Sequence, residues 1–486
     1  MNLGLRYEYF SPVFSRNNAQ ANFNPITGVL DIPADSNVTL TPTLASILPV
    51  DHTASNALIG ADYKNFSPRV GLAYEVTPRL AVQSAFGLFF NGDEAGPYSN
   101  PSPGFNPPYF ASQSFVAPCA LPSYNAAAED CSVPGLSVLS QGFPTNALTD
   151  PNTPTLFSLD LHLRTPYVMQ WHMTLQYQIT PSTMFETSYV GSKGDRLYIY
   201  LNGNQAQPTA DPSAPTAPRR PFPYLDTSTG YLKSAGSSNY NGLQASLQQR
   251  LSHGLSMIVN YTYSKSLGNA SSADLGAQNN DGFRNSLYPN KEYGPLDFDV
   301  RNRFVASYEY DLPFGVGQRF ATGVAAIDHI LGHWNTSGIV TLSSGTWYTV
   351  TDGNGNFANS DGQQRPDAVP GVKATSKPCV PGTFFNTCAF THPALGSFGD
   401  VSLNTLEGPG EKNVDFALMK TIPLPKAKHI EFRVESFNAF NHPNFLFAAP
   451  GPQNSNNSTV FGTPTFGYVT GAQAPRLLQF AAKLYY

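Results

Sequence analysis

Apolar and polar residues alternate along this chain in short bursts, with a period of two rather than the 3.6 of a helix. The clearest burst is 166–180. Tyr167, Met169, Trp171, Met173, Leu175, Tyr177 and Ile179 fall on one side, and Gln170, His172, Thr174, Gln176 and Gln178 on the other. Successive side chains of a strand point to opposite faces, so this spacing predicts a strand with one apolar and one polar face. At roughly 3.3 Å per residue it can cross a bilayer even when steeply tilted. The same alternation predicts strands over 2–10, 69–77, 80–90, 183–190, 240–252, 255–265, 301–311, 334–347, 414–422, 430–439 and 476–486, about twelve in all. Residues 323–331 carry helix-like apolar spacing.

The connections alternate as regularly as the side chains. Thr77-Pro78, Thr180-Pro181-Ser182, Ser252-His253-Gly254 and the segment 423–428 are short turns, several of them fixed by Pro. Between them lie long polar stretches rich in Pro, Ser and Asn, over 11–65, 91–165, 192–238, 266–299, 348–412 and 440–474. A soluble sandwich has no reason to segregate short turns to one end. The expected fold is therefore an all-β, antiparallel up-and-down transmembrane β-barrel occupying 1–486, with short periplasmic turns and long extracellular loops. By this parity the first strand runs outward, the last runs inward and the C-terminus is periplasmic. Tyr, Trp and Phe near strand ends are expected at the two membrane interfaces.

Composition strengthens the membrane reading. Only 13% of residues are charged, against about 25% in soluble domains, and 13% are aromatic. No run of about 18 apolar residues offers a transmembrane helix, which leaves closed sheets as the spanning structure. A net charge of −5 without a basic stripe argues against nucleic acid as a partner. The last strand puts Leu478, Phe480, Ala482, Leu484 and Tyr486 on one side. Such a flat apolar strand is an aggregation hazard in water but suits lipid. A terminal aromatic with apolar residues at every second position behind it resembles the C-terminal assembly signal of bacterial outer-membrane barrels. That resemblance implies the barrel-assembly machinery as a partner.

Candidate chemistry is sparse. There is no G-x-S-x-G elbow, P-loop or H-E-x-x-H motif, so no enzyme, catalytic, metal or cofactor site is expected. His329 and His333 stand at helical spacing, but no acidic or thiol ligand is placed to complete a metal site. Asp352-Gly-Asn-Gly-Asn356 begins like a calcium loop, yet Phe357 stands where the loop needs Gly. Cys119 with Cys131, and Cys379 with Cys388, form two close pairs in Pro-rich loops. Their spacing suits local disulfides in an oxidising compartment. Arg69, Glu75, Arg250, Arg303, Glu309, Glu431, Arg433 and Glu435 fall on polar faces and are expected toward the lumen. They would form either a wall network or contacts to a plug domain. Tyr98, Phe105 and Tyr109 are loop aromatics that could stack on a ligand or pack within the loops.

Several stretches carry a family resemblance. They are Asn2-Leu-Gly-Leu-Arg-Tyr-Glu-Tyr9, Phe66-Ser-Pro-Arg-Val-Gly-Leu-Ala-Tyr74, Asn239-Tyr-Asn-Gly-Leu-Gln244, Tyr261-Thr-Tyr-Ser-Lys-Ser266, Asp299-Val-Arg-Asn-Arg-Phe304 and Leu312-Pro-Phe-Gly315. Further on come Gly332-His-Trp-Asn-Thr-Ser-Gly338, Arg365-Pro-Asp367 and Phe432-Arg-Val-Glu-Ser-Phe-Asn-Ala-Phe-Asn-His-Pro443. In order and spacing they resemble the barrel region of Oar-like TonB-dependent outer-membrane receptors, which often carry a carboxypeptidase-regulatory-like domain. The resemblance implies uptake of large or scarce solutes, with TonB, a plug and a solute ligand as partners. It also implies a longer parent, with a signal peptide, sandwich domain, TonB box and plug ahead of ~22 strands. Residues 1–8 show no signal peptide and open inside a strand, so the chain is expected to be the C-terminal half of such a receptor. A passive porin-like channel, or a surface adhesin or secretion-linked barrel, are the alternative readings.

Overall fold

The structure, a computed structural model, describes residues 1–37, 39–92, 103–110, 154–225, 229–269, 283–353, 357–426, 428–447 and 457–486. The alternating stretches form the long strands of one antiparallel sheet. In chain order they are β1 (Asn2–Tyr7), β2 (Phe66–Thr77), β3 (Leu80–Phe90), β4 (Tyr167–Thr180), β5 (Thr183–Asn202) and β6 (Gly230–Ser252). The path continues through β7 (Leu255–Gly268), β8 (Asn302–Asp311), β9 (Trp334–Ser343), β10 (Glu411–Pro423), β11 (His429–Phe437) and β12 (Leu477–Tyr485). Each strand pairs with its neighbours in sequence, so the sheet is a continuous meander with two short strands attached off the path. It does not close: β1 pairs only with β2, and β12 only with β11, among the described residues.

Register carries one face from strand to strand. Leu72, Ser84 and Met173 are successive partners across β2, β3 and β4. Tyr189, Leu243 and Tyr263 continue the row across β5, β6 and β7. At the far edge Leu418, Val434 and Phe480 align. A slip of one residue anywhere would turn the remaining strands inside out, so the period-two pattern specifies the pairing. The apolar face is left uncovered: Leu72 is 49% exposed and Phe480 72%. A bare apolar surface of this extent belongs in lipid. Near the long-loop end it carries Phe90, Tyr167, Trp171, Tyr189 and Tyr263, and near the short turns Tyr74, Tyr177, Phe185, Tyr310 and Trp334. Aliphatic residues such as Val82, Leu247, Val259 and Val340 share this face, Val82 as the register partner of Tyr74 and Leu247 of Phe185. Among the described residues no helix is long and apolar enough to cross a membrane.

The sequence expectation of a loop over 192–238 is corrected. β5 runs to Asn202 and β6 starts at Gly230, giving strands of 20 and 23 residues, or about 66 and 76 Å. That is well beyond the ~30 Å of hydrocarbon. Above the membrane both faces meet protein or water, so the alternation that marks a spanning strand disappears. The stretch 234–242 instead reads Ser-Ala-Gly-Ser-Ser-Asn-Tyr-Asn-Gly, which looks like a loop. A bulge at Gly236 shifts the register there, and a Cβ on Gly236 would meet the Leu197 carbonyl oxygen at 2.8 Å.

The conventional hydrophobic cores lie in the long loops and against the tall ends of β5 and β6, not on the apolar belt. One gathers Val350, Phe385, Phe390, Val401, Phe447 and Phe466. A second joins Phe23, Leu30, Ile32, Leu48, Leu156 and Leu225. Two smaller ones rest on the tall hairpin, with Tyr200 and Leu232 in one and Ile199 and Leu201 in the other. The long loops thus fold as packed caps, and two of their cores include residues of the β5 and β6 extension.

Candidate functional site: the polar face and the loop cap

All eight charges expected toward the lumen lie on strands of the sheet or at their ends, opposite the apolar rows. The cross-strand register places Arg303 with Thr262 and Ser343, and Glu309 with Ser256 and Ser337. Glu431 lies opposite Thr421 and Lys483, and Glu435 opposite Ala417 and Gln479. Arg433 donates to Glu431 at 3.0 Å and to Glu435 at 3.4 Å. This trio is an along-strand ladder, in which the Arg433 Nε is buried without a hydrogen-bond partner. Glu309 accepts from the Asn335 side chain at 3.3 Å. Arg69 lies 4.6 Å over the Phe89 ring. Glu75 and Arg250 line one 390 Å³ cavity at the short-turn end, together with Gln176, Gln178 and Gln248. Arg69 lines a 690 Å³ cavity with Gln170 and His172. Glu309 and Glu435 share a third, of 420 Å³, with Asp415. The charges are therefore spread over the face in small groups and do not converge on one point.

On β12, Leu478, Phe480, Ala482 and Leu484 share the apolar face with Ser436, Val434, Phe432 and Ile430. Tyr486 stands just beyond the strand and is 95% exposed. Cys379 and Cys388 are joined by a disulfide within the 344–410 loop. Cys119 and Cys131, and Tyr98, lie outside the described residues. Phe105 packs against Phe110 and Phe157, and Tyr109 shares a hydrogen bond of 2.6 Å with Ser36, so both serve loop packing.

At two of the motifs the described residues make protein contacts. The helix Ala325–Leu331 ends before His333, whose φ of 56° takes it off the helical spacing from His329. Asp352 is buried against His392, 2.7 Å away, and Phe357 stacks on the same imidazole at 4.8 Å.

Sequence reasoning missed the ties that hold the loop cap. Arg365 is fully buried and meets Glu292 at 2.6 Å. The other oxygen of Glu292 accepts from Arg284 at 2.8 Å, and Arg284 also donates to the Gly399 carbonyl at 2.5 Å. Arg220 grips Asp361 through two bonds of 2.8 and 3.1 Å. These pairs link the loops 203–229, 283–301 and 344–410. Asn22 and Asn106, both fully buried, each exchange hydrogen bonds with the backbone of the 157–159 strand. No local signal marked these pairs: Arg365 stands in the Arg365-Pro-Asp367 stretch, just after a polar run of Asn, Asp, Gln and Gly.

One group in the cap gives a pH-dependent expectation. Asp31 is buried, and its register partner in the loop sheet is Asp51. Burial first, then the neighbouring Asp51 charge, pushes its carboxyl from 3.8 up to about 6. The folded loop therefore holds a proton that the unfolded loop releases. Stability is full below about pH 4 and declines as pH rises toward 6. Asp31→Asn should remove that decline and stabilise this loop at pH 8 by on the order of 1 kcal/mol. Amide exchange over 21–54 from pH 4 to pH 8 measures it; a parallel decline in the variant would refute the assignment.

An open antiparallel meander with a bare apolar belt, short turns at one end and packed loops at the other defines an outer-membrane β-barrel wall. Residues 1–479 match the family described as outer membrane beta barrel domain, and the chain belongs to that family; its location is the outer membrane. No curated protein matches the sequence. Among solved structures it is similar to the outer membrane transporter YddB from Escherichia coli, with 10% identity and a TM-score of 0.43, covering 88% of this chain and 41% of that one. It is also similar to BauA, the ferric preacinetobactin receptor from Acinetobacter baumannii, at 13% identity and a TM-score of 0.36, covering 87% and 37%. The FrpB iron transporter from Neisseria meningitidis is similar at 12% identity and a TM-score of 0.37, covering 86% and 39%. The chain spans about two fifths of the length of these proteins.

Proposed function

We propose that this chain supplies wall and extracellular loops to an Oar-like TonB-dependent receptor that takes up large or scarce solutes. The observation that carries the reading is the open sheet. β1 and β12 each leave one edge unpaired among the described residues, although their apolar side chains face the belt. A twelve-stranded porin would pair those two edges, because unpaired backbone groups are not tolerated in hydrocarbon. A larger barrel places other strands there. The Oar-like motifs support the subfamily, and the polar-face charges then face a plug. Leu478, Phe480, Ala482, Leu484 and Tyr486 form the signal read by the barrel-assembly machinery. In this orientation the loops are extracellular and the C-terminus periplasmic.

The test is the size of the native species in isolated outer membranes, blotted against a long loop. A species much larger than the 486-residue chain is expected. A species of this size that conducts ions in a planar bilayer would refute the reading in favour of a passive channel.

A further inference from the structure

Four of the five connections at the short-turn end are tight: 78–79, 181–182, 253–254 and 424–428. The fifth, 312–333 between β8 and β9, is long, and its apolar side chains point outward. Val316, Phe320, Val324, Ile327, Ile330 and Leu331 are all exposed, Ile330 by 67%. A polar connector would be expected in water, so this composition requires a non-aqueous neighbour. Its one carboxylate is turned inward. Asp328 is buried and accepts from the Thr322 amide at 2.7 Å, the Thr322 hydroxyl at 2.8 Å and the Gly323 amide at 3.1 Å. Arg319 stays at the surface, 5.4 Å over the Phe320 ring. The exposed side is thus mostly apolar, with Gln318 and His329 beside the Arg319 cation.

The connector is also tied to the lipid-facing side of the wall. Lys420 lies on the apolar face of β10, opposite Trp334 and Phe432. Its ammonium donates to the carbonyls of His329 at 2.7 Å, Ile330 at 3.1 Å and Gly332, and sits 5.3 Å from the Trp334 ring. The Trp334 indole donates to the Ile330 carbonyl at 2.9 Å. The end of the helix Ala325–Leu331 is therefore pinned level with the aromatic band at the rim of the belt.

We infer that the connector 312–333 is an interfacial membrane anchor. Its apolar side chains enter the acyl boundary, and Arg319 meets anionic phospholipid headgroups. The physics is that of an amphipathic segment lying in the membrane plane, here made continuous with a transmembrane belt. The inference rests on the belt itself being in lipid.

The test uses the full chain in vesicles of phosphatidylethanolamine and phosphatidylglycerol. Nitroxide labels are placed by Ile330→Cys, by Val434→Cys in the belt and by Ser402→Cys in a long loop, with the unsubstituted chain treated in parallel as background. Accessibility to oxygen is compared with accessibility to a water-soluble nickel chelate. The label at 330 should favour oxygen over nickel by roughly threefold relative to the label at 402, at a shallower depth than 434. Arg319→Glu, or vesicles of phosphatidylcholine alone, should lower that preference. A label at 330 as wet as that at 402, with 434 in lipid, overturns the anchor and leaves the belt standing. A wet label at 434 overturns the belt reading first. A preference at 330 unmoved by Arg319→Glu overturns the headgroup contact.

Discussion

Leu175→Arg is expected to prevent stable membrane insertion, while Gln176→Arg, one residue further along the same strand, leaves insertion intact. Leu175 lies on the apolar face of β4, paired with Val82 on one side and Thr187 on the other. A guanidinium there must sit in hydrocarbon or drag water in with it, at a cost of about 2–4 kcal/mol near the midplane. Net stabilities are only about 5–15 kcal/mol, so such a loss is large. Gln176 faces the other way. Its amide already donates to Glu186 at 2.7 Å, and an arginine could take over that carboxylate. The two substitutions carry the same charge at nearly the same depth, so only the face differs. Heat-dependent gel mobility and urea unfolding in vesicles would register the contrast. Equal losses would mean that the strand is buried on both faces and that the lipid assignment is wrong.

That contrast is legible in the sequence because period two is a strong signal in a spanning strand. Tyr167–Tyr177 must put a hydrophobic group out at every second place, and the polar set is free only on the other face. The short turns were equally plain, since Pro78 and Pro181 cannot continue a strand ladder. Two features escaped. The tall part of the β5–β6 hairpin stands outside the bilayer, where nothing forces alternation, so Ser, Gly and Asn there carry no strand pattern. The loop cap escaped for a different reason. Its contacts join residues far apart in sequence, such as Glu292 with Arg365 and Arg220 with Asp361. Nothing in local spacing encodes such pairs. Of the polar-face charges, the sequence gives the face of each but not that Arg433 already serves two carboxylates.

The cap leads to the second large effect. Glu292→Ala is expected to loosen the loops 283–301 and 344–410 by about 3–5 kcal/mol, because it leaves a fully buried Arg365 without its counter-charge. Arg284 would lose the same partner and keep its bond to the Gly399 carbonyl. The penalty belongs to the stranded charge, not to the worth of the pair. The double substitution Glu292→Leu with Arg365→Met should therefore recover much of it, since an apolar pair of similar volume needs no compensation. Amide exchange and limited proteolysis across these loops measure the opening, with the belt strands as an internal reference that should not change. The belt is held by lipid and by strand pairing, and the cap by its own cores and ion pairs, so the two should respond separately. A loss below about 1 kcal/mol would place the pair among solvent-screened surface bridges. A loss that also unfolds the strands would mean that the cap and the wall form one cooperative unit. Any solute that moves these loops would then have to strain the wall as well, whereas separate units would let the cap open above a barrel that stays intact.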